Sequence, residues 1–359
     1  MDRFGVSTTV LMGSLLAEAC GGDDTPSSGA EETGLSGADV ASGSSGAQEV
    51  ELPSPCGEFG LETSMVEVAA VRRLATGDFV AAGADDDDGP LIESFAADGG
   101  LLWSKAQSGP GNYDDIVVLA DGRIVTSGSI GTSTSREAHG LLTALEPDGA
   151  TIVELHEEDV QNFRRVISLD GAQQLLSLAG PGELRRHDHD LQLLGPVQTG
   201  SPFVEEVIAL GSGFALCADG LVRAFSADAE LAWEKALDDV ICTTLSSDGT
   251  HVAAASPSEV LVVDDAGAAV WTAPSSIERT ERTAFFGAVL LVAGGSSLGG
   301  PIDVQGFDAS GHSLWSFATG SLPLSLNGIL VDWPRFYLTS SSRQSSRSTV
   351  VDCHSTPIE

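Results

Sequence analysis

One phrase recurs along this chain and constrains its fold more than anything else in it. Phe95-Ala-Ala-Asp98-Gly99-Gly-Leu-Leu-Trp103 returns as Phe225-Ser-Ala-Asp228-Ala-Glu-Leu-Ala-Trp233. It returns again as Val263-Asp-Asp-Ala-Gly267-Ala-Ala-Val-Trp271 and as Phe307-Asp308-Ala-Ser-Gly311-His-Ser-Leu-Trp315. In all four copies the opening residue and the Trp are eight positions apart. Weaker copies lie at Leu145-Glu-Pro-Asp148-Gly149, reaching Val153, and around His187 to Leu194. A spacing of about 40 to 50 residues between copies is the signature of a propeller or solenoid, in which no repeat can bury its apolar face without a neighbour.

Between the copies, strand signals alternate with turn signals and no long helical stripe appears. Asp-Gly at Asp98-Gly99, Asp121-Gly122, Asp148-Gly149, Asp170-Gly171, Asp219-Gly220 and Asp248-Gly249 supplies the positive φ of tight hairpins. Strand-length apolar runs lie between them, among them Ile116-Val-Val-Leu119, Val207-Ile-Ala-Leu210 and Glu259-Val-Leu-Val-Val263. Each unit reads as an inner hairpin followed by an outer hairpin that carries the phrase, which makes four strands. The expected fold is therefore an all-β propeller over residues 57–359, with seven four-stranded blades and six or eight as the alternatives. The blades start near Val68, Asp114, Arg165, Glu205, Val240, Arg282 and Leu326, and a strand within 57–65 is expected to complete the last blade. A Trp just after a turn covers a large apolar area between sheets, so Trp103, Trp233, Trp271 and Trp315 read as structural.

The phrase Ala-Phe-x-x-Asp-Gly-x-x-Leu-Trp resembles the PQQ-like repeat. The match is clearest at Arg223-Ala-Phe225 to Trp233, Phe95 to Trp103 and Phe307 to Trp315. That resemblance implies the blade type and no particular activity. The quinone enzymes with such repeats hold their cofactor with adjacent cysteines and calcium, and this chain has no adjacent cysteines. No quinone-binding or catalytic residue carries over, and no cofactor is expected. Other proteins with the repeat are outer-membrane lipoproteins serving assembly machines.

The start of the chain fits that layout. Leu15-Leu-Ala-Glu-Ala19-Cys20-Gly21 resembles a bacterial lipobox, so residues 1–19 read as a lipoprotein signal peptide and Cys20 as the lipidated residue. Gly21, rather than Asp, implies the outer membrane by analogy with enteric sorting. Residues 20–56 have no aromatic side chain and almost no bulky aliphatic one, which predicts a flexible acidic tether. The expected location is the outer membrane, facing the periplasm or the cell surface, with the lipid as the only membrane contact. A net charge of -35 repels nucleic acid.

Four further cysteines, Cys56, Cys217, Cys242 and Cys353, lack the CxxC spacing of a metal or redox site and suit an oxidising compartment. Cys56 and Cys353 flank the repeats, and a bridge between them would lock the ring. Cys217 and Cys242 lie in neighbouring apolar strands, either bridged or as two buried thiols.

The remaining motifs carry little chemistry. Gly295-Ser-Ser297-Leu-Gly299 matches GxSxG, but Gly299-Gly300-Pro301 follows where a helix is required. Arg185-Arg186-His187-Asp188-His189-Asp190 has metal-ligand residue types at the outer turn of a blade, where polar residues are expected anyway. Asp85-Asp86-Asp87-Asp88-Gly89 lacks the alternation of a calcium loop. No catalytic and no metal residue is assigned. By position near blade starts, Tyr113, Asp114, Asp115, Phe163, Arg164, Glu205, Glu206 and Asp238 are the candidate rim-binding residues. The expected function is a non-enzymatic, monomeric, lipid-anchored module that binds a protein partner or a cell-surface polymer. The alternatives are a propeller enzyme (hydrolase, lyase or quinone oxidoreductase) and a glycan- or metal-binding sensor.

Overall fold

The computed structural model describes residues 57–59, 63–131, 138–169, 173–180, 182–201, 203–237, 241–295, 301–319, 325–332, 335–342 and 347–354. They form seven sheets of four antiparallel strands. Six sheets are consecutive in sequence. The seventh takes its inner three strands from the C-terminal end of the described chain and its outermost from Gly57–Phe59, which pairs with Arg347–His354. The innermost strands, in blade order, are Glu67–Arg73, Gly111–Val118, Phe163–Leu169, Glu206–Leu210, Thr244–Ser247, Arg279–Phe286 and Ser325–Asp332. Each packs on the next, and the first packs on the last, so the seven sheets close into a ring. The fold is a seven-bladed β-propeller, with the start of blade 5 at Thr244 rather than near Val240.

Apolar residues on both faces of the second and third strands fill the space between blades, which is why these strands read as near-continuous apolar runs. Phe79–Ala84, Gly213–Ala218 and Val289–Gly295 are buried at every position. The fourth strands, such as Leu101–Ala106 and Leu231–Ala236, alternate between exposed and half-buried residues because they form the circumference.

The repeated phrase is a docking device between blades. Trp103 of blade 1 lies on Gly149 of blade 2 and donates its indole N–H to the Pro147 carbonyl at 3.1 Å. Trp233 of blade 4 does the same to Gly267 and the Asp265 carbonyl of blade 5, at 2.9 Å. Trp271 of blade 5 covers Gly311 of blade 6 and stacks on Phe307. Each of these glycines has positive φ, at 86°, 80° and 83°. A β-carbon there would approach the indole to within 2.9, 2.7 and 2.8 Å respectively. Glycine is thus needed for both turn and contact. Trp315 differs: it packs on Gly306 of its own sheet and stacks with Phe317.

The Cys217–Cys242 disulfide is present, with Cα atoms 6.0 Å apart, and ties the second strand of blade 4 to the segment leading into blade 5. Cys353 is buried and disulfide-bonded, while Cys56 lies outside the described residues, as do Cys20, the tether and the Ser297 motif.

Candidate functional site

The seven innermost strands surround an axial lumen of about 440 Å³. Its chemistry is set by one local feature. In blades 1, 2, 3, 6 and 7 the register of the innermost strand slips by one residue near its start, at Ala69, Asp114, Arg164, Glu281 and Asn327. In blades 4 and 5 the N–H groups of Glu205 and Thr243 bond the carbonyls of Cys217 and Ala255, the residues that pair with Glu206 and Thr244. Every blade therefore spends an extra residue at this point, as a β-bulge does where a strand must re-aim its side chains. The resulting doublets are Ala69-Ala70, Asp114-Asp115, Arg164-Arg165, Glu205-Glu206, Thr243-Thr244, Glu281-Arg282 and Asn327-Gly328. Before each stands a buried residue: Val68, Tyr113, Phe163, Val204, Cys242, Thr280 or Leu326.

This register separates the candidates. Asp115 and Glu206 line the lumen, and Asp114, Arg164 and Glu205 line its mouth on the face where the innermost strands begin, here the upper face. Tyr113 and Phe163 depart from the rim expectation. They occupy the buried position before the bulge, at 1% and 0% exposure, and the Tyr113 hydroxyl meets Thr143 at 3.0 Å. Burial pushes the Tyr113 phenol up to about 12. Asp238 lies outside the described residues.

Around the lumen, charged groups tie blade to blade. Arg165 grips Glu206 through two parallel bonds, Nε to Oε1 at 2.6 Å and Nη2 to Oε2 at 3.0 Å. Burial pushes the Glu206 carboxyl up, but Arg165 beside it prevails and holds it below the ordinary carboxylate range. Asp115 accepts from Arg72 of blade 1 at 2.8 Å and from the Val166 N–H of blade 3 at 3.3 Å. Arg282 donates to the Asn327 carbonyl at 2.8 Å, and Asn327 to the Val68 carbonyl at 2.7 Å, which carries the belt across the ring closure. Burial, followed by repulsion from Arg165, lowers the pKa of Arg282.

The mouth, about 280 Å³, is bounded by Glu67, Asp114, Asn162, Arg164, Glu205 and the belt residues Arg165, Arg282 and Asn327. It is less fully satisfied than the belt. Asp114 accepts from the Asn112 amide and pairs with Asn162, whereas Arg164 Nε is buried and has no hydrogen-bond partner. Burial pushes the Asp114 carboxyl up to about 7, and burial also raises that of Glu205, whose carboxylate accepts from the Cys242 N–H. Two exposed apolar residues lie in the adjoining segments: Phe203, two residues before Glu205 and 57% exposed, and Ile241, next to Cys242 and 56% exposed.

Other clusters are structural. His187 is buried against Phe163, with Nε2 3.0 Å from Ser177 Oγ. Both side chains are at 0% exposure, which closes the pair off from solvent. His189 lies in the following turn against Arg123, away from His187. Asp85 turns its carboxylate onto the N–H groups of Asp87 and Gly89. Among the described residues, no three His, Cys, Asp or Glu side chains group as metal ligands.

The doublets were visible as sequence, each between apolar residues at a blade start, yet Arg165 and Arg282 escaped selection as site residues. Superposing the seven blade starts on their apolar flanks was the signal that could have found them.

No family profile matches the chain, and no curated protein matches it. Among solved structures it is similar to BamB from Moraxella catarrhalis, with 13% identity and a TM-score of 0.51 over 80% of this chain and 83% of that one. The likeness is one of fold.

Proposed function

We propose that this protein is a non-catalytic docking module, a closed propeller whose upper face receives another protein. The observation that carries the reading is the exposure of Phe203 and Ile241, both more than half exposed, in the segments that lead into the innermost strands of blades 4 and 5. An apolar contact flanked by polar groups is the usual anatomy of a protein-binding patch. The Cys217–Cys242 bridge anchors the Ile241 segment, which lowers the ordering cost on binding. The lipobox-like run ending at Cys20 and the tether of residues 20–56 support presentation of this face from the outer membrane.

Site-specific photocrosslinkers at residues 203 and 241 of the lipidated protein, in its native membranes, test this. One shared crosslinked protein is expected from both positions and none from residues 102 or 194 on the circumference. The same yield from all four positions, or none from the upper face, overturns the reading. Cys20→Ala should move the protein from the membrane fraction to the soluble fraction.

A further inference from the structure

We infer that the axial lumen is a binding site for a small aliphatic monocarboxylate held by Arg282, a site that does not rest on the docking reading above. The lumen is walled by three guanidinium groups, Arg72, Arg165 and Arg282, and by two carboxylates, Asp115 and Glu206, which leaves one positive charge unbalanced. Arg165 is spent on Glu206, and Arg72 on Asp115. Arg282 bonds only carbonyls among the described residues, that of Asn327 through Nε and that of Glu281 through Nη1. The Glu281 carboxylate is itself taken up by the Leu326 N–H and by Arg279. The Nη2 donors of Arg282 therefore meet no protein acceptor among the described residues.

The order of residues around the ring shows where the ligand fits. The second residue of each doublet lines the lumen. From blade 2 to blade 4 these are Asp115, Arg165 and Glu206, matched by one another and by Arg72. From blade 5 to blade 1 they are Thr244, Arg282, Gly328 and Ala70, so Arg282 stands among residues too short to pair with it. Burial and repulsion from Arg165 both disfavour its charge, and an anion beside it relieves both. The acids Glu67, Asp114 and Glu205 bound the mouth and do not line the lumen, which places the anion below them. Further down the strands the wall turns aliphatic, with half-buried Val117, Ile167, Ile208 and Ile329. A guanidinium fork matches a carboxylate, and the aliphatic wall matches a hydrocarbon chain. The lumen's 440 Å³ is of the size that small-molecule sites have. One negative charge balances the wall, whereas a divalent anion overshoots it and a cation adds to the excess.

Calorimetric titration of the full-length protein in a non-ionic detergent, with hexanoate as the probe and a protein-free micelle titration subtracted, tests this. Saturable one-to-one binding is expected, about tenfold weaker for the neutral isostere hexanamide and absent for n-hexylamine. Acetate, which lacks the chain, and inorganic phosphate should each bind severalfold more weakly than hexanoate. Arg282→Gln should bring hexanoate down to the affinity of hexanamide. Thr244→Asp sets a carboxylate beside Arg282, at the ring position that Asp115 and Glu206 hold in their own blades, and should abolish hexanoate binding. Should either variant fail to fold, the ratio of hexanoate to hexanamide on the parent protein decides. The inference is overturned by no saturable hexanoate binding, by equal affinity for hexanamide, or by phosphate binding more tightly than hexanoate. A folded Arg282→Gln or Thr244→Asp protein that binds hexanoate as well as the parent overturns it too.

Discussion

The circumference and the axis of this ring are built from the same four-stranded unit and have opposite chemistry. At the circumference the blades repeat one another: Trp103, Trp233 and Trp271 each cover a positive-φ glycine of the following blade. At the axis no two doublets are alike, although all seven stand at the same point of their blades. The contrast separates two demands on a repeat. Packing one blade on the next is met in the same way at three of the seven joints, by a Trp that covers a glycine of the following blade. A lumen wall offers seven positions that packing leaves free, so they can carry a charge pattern specific to this protein.

Four measurements test that contrast. The largest effect is expected at the axis. Arg165→Met leaves Glu206 buried without its cation and should cost about 3–5 kcal/mol in chemical denaturation. Arg165→Met with Glu206→Met should recover most of that loss, because the fold needs the pair to be matched and not to be charged. If the double variant remained as unstable as the single one, the belt would be part of the packing, and the contrast would fail.

Next comes a pH effect in the buried third strand of blade 3. Burial lowers the His187 pKa from 6.5 to about 4, so the folded protein holds the ring neutral while the unfolded chain protonates it. Its stability contribution is complete above about pH 6.5 and is lost as the pH falls through 4, by about 3 kcal/mol in all. His187→Gln should flatten that part of the stability profile, and an unchanged slope would place the acid sensitivity elsewhere.

Gly267→Ala is expected to cost about 1–3 kcal/mol, since the new methyl meets Trp233 at a φ of 80°. Crosslinking from residue 203 should not change. Loss of crosslinking in a folded Gly267→Ala protein would show that the circumference takes part in docking.

The smallest effect has the opposite pH sign to that of His187. The Asp114 carboxyl is raised from 3.8 to about 7, so folding favours its protonated form and stability is lost as the pH rises between those values. Asp114→Asn should therefore stabilise the free protein, by about 1 kcal/mol at pH 8 after allowance for screening in the lumen. The gain should shrink as the pH is lowered towards 4.

The blade is legible from the chain alone: period, strand count per unit, hairpin turns and the Trp phrase all depend on residues close together in it. So are Asp114, Asp115, Arg164, Glu205 and Glu206 as residues at blade starts. That five starts, spread over about 260 residues from Ala69 to Asn327, slip by one residue in register emerges only in the folded ring. That slip turns Tyr113 and Phe163 inward to the core and their neighbours to the axis. The physical reason is that a strand's side chains alternate, so one inserted residue reverses every assignment beyond it. Which charged groups meet was likewise beyond the sequence, because Arg165 finds Glu206, Arg72 finds Asp115 and Arg282 finds the Asn327 carbonyl on another blade, and those distances exist only once the ring has closed.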